Sequence, residues 1–450
     1  LKPFWLKVKR NQTKPREACK SAAAAAMDAD SGSTPGICGN ICGLLCPCCC
    51  HPKHRFCTPC KFTLVGCVAC WCWLIVLLPI LWALLTFAVI QPVLCSRMHT
   101  ELYPEETWVA HLAEKNPSNW EFGGTQLQCT QAMNSIKVED WRVDSTEWRE
   151  VFFKSTDGLK LQGFFLIGQN GEATGIGPAQ QAPTIIQGHG HGGSASGQSQ
   201  MLPAKGLQQQ GFNVLLFNSQ GLGKSQAPDS KYAIRTFGAD ELTNTEGAIK
   251  LVTEDPDGVL PFVTPLHKVG IFSESGSNGM VLFIRKNIPG IVMQSSIYDW
   301  YAQFQKVAGE VGVGWLPLVD TLLMNCASAK AQRGGIVEEN YKDQLNRAVY
   351  NPTGRKVLRI HNIADEYNRY DDHARGWETD LKAKGFDVTT YNPDEDGEED
   401  CNSHLTILFD LKRKAHFQKM CSFWEMVFNV SASCGSMLAF DTMLPRDSPR

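Results

Sequence analysis

The chain has 450 residues, enough for one large globular domain with accessory segments or for two domains. A hydrophobic content of 43% and a charged content of 20% place most of it in the ordered, globular class. A net charge of −3 gives no electrostatic reason to expect nucleic acid, which would call for a basic patch or stripe, and that class is set aside.

The chain opens on Leu1, and Met27 after the alanine run is a candidate start, so residues 1–26 are left out of fold reasoning. Residues 1–61 read as a cysteine-rich, partly disordered N-terminal region. Eleven of the 18 cysteines fall between Cys38 and Cys72. Two chemistries compete for this cluster. Cys57 and Cys60 with Cys48, His51 or His54 offer zinc-type ligands, yet a zinc ribbon calls for two separated pairs and these cysteines are crowded together. Thiols beside a membrane helix are sites of reversible palmitoylation, and that reading ranks first.

Residues 62–94 hold 33 positions without a charged side chain. A bilayer core needs roughly 20 apolar helical residues, so this segment predicts a transmembrane helix with length left for tilt. It is also longer than the apolar core of a cleaved signal peptide, about 7 to 15 residues. Lys53, Arg55 and Lys61 precede it closely, whereas only Arg97 follows it closely; the more basic flank stays cytoplasmic. A single-pass protein with a cytoplasmic N-terminus is expected. The downstream domain then lies on the lumenal or outer side. There Cys95, Cys129, Cys326, Cys401, Cys421 and Cys434 can form disulfides and Asn429-Val430-Ser431 is a glycosylation triplet.

Residues 95–145 read as a polar linker or irregular cover, and residues 146–430 as the globular domain, followed by a tail at 431–450. From Trp148 short apolar runs alternate with turns, and Asp157-Gly158 between two alternating segments predicts a hairpin. Six further runs follow: "APTIIQG", "GFNVLLFN", "HKVGIFS", "IPGIVMQ", "RKVLRIH" and "GFDVTTY". Helix-length spacers such as "GADELTNTEGAIKLVTED" separate them, which implies βαβ units and a mostly parallel sheet. In such sheets chemistry gathers at the carboxyl edge of the strands.

At that edge "HKVGIF" leads into Ser273-Glu274-Ser275-Gly276-Ser277, the strand-to-helix elbow G-x-S-x-G with serine in place of both glycines. A bland serine-rich turn is the competing reading. A serine hydroxyl becomes a nucleophile only when a base takes its proton and an acid orients that base. Asp365 follows the end of a buried run, with Asp371 and Asp372 as alternatives. His404 sits in a loop after the last strand; His416, in "LKRKAHFQKM", reads as part of a charged helix face. The acidic run from Asp394 to Asp400 reads as a solvated loop that slightly raises the basicity of His404.

The chain order serine, acid, histidine, together with the upstream "QGHGHGGS", resembles the α/β-hydrolase superfamily, particularly its membrane-anchored hydrolase-domain members. The resemblance covers roughly residues 146–430. It implies Ser275 as nucleophile, Asp365 as orienting acid and His404 as general base. It also implies an oxyanion hole from the backbone N–H groups of Gly276 and His191. Where the family often places an aspartate and an arginine after the fourth strand, this chain has Asn218 and Gln220. His189 and His191 could be taken for a metal pair, but the surrounding glycines suit a backbone-donor turn better. No carboxylates or histidines at ligand spacing occur elsewhere, so neither cofactor nor metal is expected. The stretch 299–354 is long for a connection and reads as a lid over the site; Trp315, Leu316, Leu318, Val319, Leu322 and Leu323 would give it an apolar helical surface.

These readings predict a membrane-anchored serine hydrolase acting on an ester, thioester or amide. An acyl-containing small molecule, lipid or acyl-protein is favoured as substrate. The alternatives are a catalytically inactive hydrolase-like domain that binds a partner at the membrane, and a serine peptidase.

Overall fold

The computed structural model describes residues 142–190, 193–226, 241–277, 283, 286–310, 341–347, 351–395, 404, 413–432 and 434, with 77–78, 80–82, 84 and 116–119. The chain divides into two compact units, Leu1–Ala83 and Leu84–Arg450. In the first unit the described residues Leu77, Leu78, Ile80, Leu81 and Trp82 are helical with exposed side chains. Among the described residues no helix is long and apolar enough to cross a membrane. Most of the predicted span 62–94, the cysteine cluster and the apolar stripe from Trp315 to Leu323 lie outside the described residues.

The second unit is built on one eight-stranded sheet: β1 (Trp148–Lys154), β2 (Lys160–Leu166), β3 (Thr184–Gly188), β4 (Asn213–Phe217), β5 (Val269–Glu274), β6 (Gly290–Gln294), β7 (Lys356–Ile360) and β8 (Asp387–Tyr391). Their spatial order is β1-β2-β4-β3-β5-β6-β7-β8. The expected hairpin joins β1 to β2, and β2 pairs antiparallel with β4; every later pairing is parallel. This is an α/β-hydrolase-like arrangement with a mostly parallel sheet.

The sheet is covered on both faces, which is why its central strands read as continuous apolar runs rather than as alternating ones. Side chains of one parity, among them Ile186, Ile271, Ile291 and Val357, pack with residues of α3 (Glu241–Glu254), α4 (Trp300–Glu310), α5 (Tyr341–Arg347) and α6 (Ala374–Ala383). The other parity, including Ile185, Phe272, Val292 and Leu358, packs with α2 (Gln198–Gln209) and α7 (Arg413–Phe428). A one-turn helix, α1 (Gly171–Thr174), sits between β2 and β3.

Two pieces of the segment 95–145 are docked on the domain. Val143 is buried, its N–H donating to Pro117 O (2.9 Å), and the Trp148 indole donates to Ser118 Oγ (2.8 Å). The stretch 299–354 begins and ends in α4 and α5, whose Trp300, Tyr341 and Leu345 belong to the core; residues 311–340 lie outside the described set.

The reading of His416 is overturned. His416 does not lie on a charged face: it is fully buried. The apolar face of α7 runs through Phe417, Met420, Cys421 and Trp424, and His416 stands four residues before Met420 on the same side. The flanking lysines and arginines disguised this period in the sequence.

Candidate active site

The central residue of the elbow is where the backbone turns hardest. Ser275 follows directly on β5 with φ of 49°, in the left-handed region that L-residues enter at a cost of about 1–3 kcal/mol unless the surroundings hold them there. Three backbone bonds hold it: Ser275 N–H to Gln294 O (2.9 Å), Ser277 N–H to Glu274 O (2.8 Å) and Ile297 N–H to Ser275 O (3.0 Å).

Glycines at and just beyond the end of β3 keep the close approach to the elbow. A Cβ on Gly188 would overlap the Ser277 hydroxyl, and one on Gly190 would come within 2.9 Å of Ser275 Cβ. The close approach thus survives with the small residues moved from β5 to the end of β3. Ser273 is fully buried and its Oγ lies 3.4 Å from Ser277 O, so its hydroxyl is directed inward.

Ser275 Oγ lies 2.8 Å from His404 Nε2, and His404 Nδ1 lies 2.8 Å from Asp365 Oδ2. The three side chains form one hydrogen-bonded line brought together from β5, the loop after β7 and residue 404. The other Asp365 oxygen accepts from the N–H groups of Tyr367 and Asn368, both at 2.8 Å. Burial opposes ionisation of Asp365, but the adjacent His404, with His361 and the Asn368 N–H, holds the carboxyl below its usual range. Asp371 and Asp372 are engaged elsewhere, with Arg375 and Arg369 respectively.

Several residues that sequence reasoning had not singled out complete the surroundings. His361 Nε2 donates to Asn368 O (2.7 Å) and lies 3.5 Å from Asp365 Oδ2. Burial keeps it neutral, pushing its pKa down to about 4. Ser295, also left-handed with φ of 48°, donates from Oγ to His404 O (2.8 Å), while its own carbonyl accepts from Asn368 Nδ2 (2.6 Å). The Tyr367 ring lies 4.8 Å from the His404 ring and is exposed. Asp394, expected to be merely solvated, accepts from Ile363 N–H (2.7 Å) and Ala364 N–H (2.8 Å) and so pins the loop that carries Asp365.

Glu274 is buried one residue before Ser275. Its carboxylate accepts from Gln200 Nε2 and, at 3.4 Å, from Gly190 N–H. Burial raises its pKa, against the pull of Ser199, Gln200, His404 and the Gly190 N–H. Because the Gly190 N–H faces Glu274, it is not free to serve an oxyanion. The Gly276 N–H makes no hydrogen bond among the described residues, and the Gly276 carbonyl accepts from the Tyr341 hydroxyl (3.2 Å). His191 lies outside the described residues.

His189 Nδ1 donates to Gly190 O (2.9 Å) and its Nε2 accepts from Ser219 Oγ (3.0 Å), so both ring nitrogens are occupied by the turn itself. Among the described residues no group of three or more His, Cys, Asp or Glu could hold a metal ion. Asn218, standing where an aspartate is common, accepts from Ala195 N–H (2.9 Å) and donates to Gln162 Oε1 (2.8 Å). A neutral amide joins the two loops there.

No family model matches the sequence. Two curated relatives, both uncharacterized proteins YfhR, from Escherichia coli O157:H7 and from Escherichia coli strain K12, are each 27% identical over 186 residues. That match takes in 40% of this chain and 55% of the relative, so the chain spans about half the length of the curated relatives it matches. Among solved structures, the esterase Pf2001 of Pyrococcus furiosus is similar at 16% identity with a TM-score of 0.42, over 62% of this chain and 92% of that one. The α/β-hydrolase GrgF of Penicillium sp. sh18 is similar at 15% identity and 0.42, over 63% and 99%. The acylaminoacyl peptidase of Pyrococcus horikoshii is similar at 16% and 0.41, over 62% and 41%.

Proposed function

We propose that the chain is a membrane-anchored serine hydrolase that cleaves an ester, thioester or amide through an acyl-enzyme. The observation that carries this reading is the line from Ser275 Oγ through His404 to Asp365, at 2.8 Å on each side, beginning at a left-handed residue at the end of β5. Ser275 Oγ attacks the acyl carbon while its proton passes to His404 Nε2. Asp365, ionised and held by two backbone N–H groups, stabilises the imidazolium that results. His404 then gives the proton to the leaving group, and the same base activates the water that hydrolyses the acyl-enzyme. The Gly276 N–H supplies one donor for the developing oxyanion, with His191 the other from the sequence reading.

An acyl chain is the favoured substrate group. Ile363 and Tyr367, both large, apolar and exposed, flank Asp365 on one loop, and Tyr367 lies against the His404 ring. An apolar rim beside a base suits a lipid, acyl-protein or other acyl ester better than a peptide backbone, whose polar groups need fixed partners. The uncharged segment 62–94 would hold the enzyme at a bilayer where such substrates reside, the basic flank placing the N-terminus and its palmitoylated cysteines in the cytoplasm.

A fluorophosphonate probe on the full chain tests the reading. The parent, Ser273→Ala and Ser277→Ala should label, and Ser275→Ala should not. Labelling that survives in Ser275→Ala, or a folded parent that does not label, would leave the inactive binding protein as the better account.

A further inference from the structure

The chain contains four Asn-x-Ser/Thr triplets, at Asn11, Asn116, Asn351 and Asn429. Proline fills the middle position after Asn116 and Asn351, and a middle proline blocks glycan acceptance. That leaves Asn11-Gln12-Thr13 and Asn429-Val430-Ser431, which stand on opposite sides of the apolar segment 62–94.

The second of these triplets is shaped as an acceptor. Asn429 ends α7 with φ of 52°, a left-handed helix terminus that asparagine tolerates well. Both Asn429 and Ser431 are exposed, and among the described residues neither side chain makes a hydrogen bond. The backbone around them is fixed instead. Val430 N–H donates to Glu425 O (3.1 Å), and the Glu425 carboxylate accepts from Ala432 N–H (2.6 Å). Ala432 and Cys434 point into the core, and a disulfide joins Cys434 to Cys421, about two turns up the helix. The two residues that an oligosaccharide transfer needs therefore face outward on a turn whose other side is clamped.

The Cys421–Cys434 disulfide bears on the compartment as well. Such bonds form and persist in oxidising compartments and are rare in the cytosol. The turn that carries the triplet is closed by one, and the compartment that allows it is also the one in which asparagine is glycosylated. The charge difference across residues 62–94, read as a membrane span, would put the domain on that same side.

We propose that Asn429 carries an N-linked glycan. In the transfer, Asn429 Nδ2 forms a bond to the anomeric carbon of a lipid-linked pyrophosphate oligosaccharide. The anomeric C–O bond to pyrophosphate breaks, the lipid pyrophosphate leaves and the amide gives up one proton. This does not rest on the hydrolase reading. The end of α7 lies against the start of the strands, where a Cβ on Gly290 would come within 2.6 Å of Val427 and one on Gly270 within 2.6 Å of Trp424. Ser275 and His404 gather at the opposite edge, so a glycan at Asn429 leaves the site open.

The test is expression of the full chain in cells with a secretory pathway, followed by peptide-N-glycosidase treatment of the denatured protein. One downward step in apparent mass is expected in the parent, in Asn11→Gln and in Ser431→Thr. It should be absent from both Asn429→Gln and Ser431→Ala, with fluorophosphonate labelling unchanged in each. Mass spectrometry should find the enzyme's Asn-to-Asp conversion at residue 429. No step in the parent, or a step abolished by Asn11→Gln and kept by Asn429→Gln, overturns the assignment.

Discussion

Three histidines of the domain are held neutral by their surroundings, and this makes a definite claim about acid. His416 is fully buried, neither ring nitrogen has a hydrogen-bond partner among the described residues, and burial pushes its pKa down to about 3. His373, pushed by burial to about 3, directs Nδ1 at the N–H groups of Tyr298 (3.3 Å) and Asp299 (3.4 Å), which can only donate; a proton there would face two other protons. His361 falls to about 4 through burial, even with Asp365 pulling the other way. In the unfolded chain each titrates near 6.5. Between about pH 6.5 and pH 3 to 4 the unfolded state thus binds more protons than the native one, and stability falls as pH falls. Each histidine removes about 1 kcal/mol between pH 6.5 and 5.5 and somewhat more over the next unit, so the three together remove several kcal/mol by pH 4.5. Glu274, its pKa raised by burial, works in the opposite direction, but it is one group against three. Since domains are stable by roughly 5–15 kcal/mol, the domain should unfold in mild acid. Thermal melts followed by circular dichroism at pH 7.5, 6.5, 5.5 and 4.5 measure it. At about 2 °C per kcal/mol for a domain of this size, Tm should drop by roughly 6 °C between pH 6.5 and 5.5 and more steeply below. His416→Leu should remove about a third of that slope while leaving Tm at pH 7.5 equal or higher. A Tm that is level from pH 7.5 to 5.5, or a slope unchanged in His416→Leu, refutes the reasoning.

Three other outcomes are expected. His404→Ala should lower kcat by several orders of magnitude on a model acyl ester, the residual rate coming from binding and the oxyanion donors, whereas His416→Leu should keep most of it. Gly188→Ala should destabilise the domain by about 1–3 kcal/mol through overlap with the Ser277 hydroxyl, and adding Ser277→Gly should restore most of the loss in urea titrations. Replacing Cys421 and Cys434 together by serine should cost about 3 kcal/mol under oxidising conditions, the expectation for so short a closed loop, and nothing further when reductant is then added.

The sheet was legible because each central strand is buried on both faces and so appears as an uninterrupted apolar run between turn residues. Ser275, Asp365 and His404 could be nominated from order alone, since each follows the carboxyl end of a run. What could not be read is everything set by register. Glu274 stands level with Gln294 across β5 and β6, and Gln294 with Ile360 across β6 and β7. That alignment, not any local motif, delivers Ser295 and Asn368 to His404. Their only trace in the sequence is an excess of polar residues where the runs stop. His416 was misread for the opposite reason: its charged neighbours are local and visible, while the four-residue spacing to Met420 that buries it is a property of the packed helix.

The substituted elbow bears directly on whether the chain is an active enzyme or a silent relative. Glycine flanks an elbow serine because neighbouring backbone must come close to a residue in a strained conformation. A chain released from catalysis would be free to lose that approach, and serines at both places would then push the β3 loop away from β5. Here the approach is kept. Gly188 supplies the space that the Ser277 hydroxyl occupies, and any side chain at Gly190 would press on Ser275 itself. Glu274 holds the same loop from below by accepting the Gly190 N–H and the Gln200 amide. Two strands and a buried carboxylate therefore maintain Ser275 in a left-handed conformation of no value to folding alone. Strain retained in this way, with the serine hydroxyl aimed at His404, is what an acyl-transfer mechanism needs and a binding surface does not.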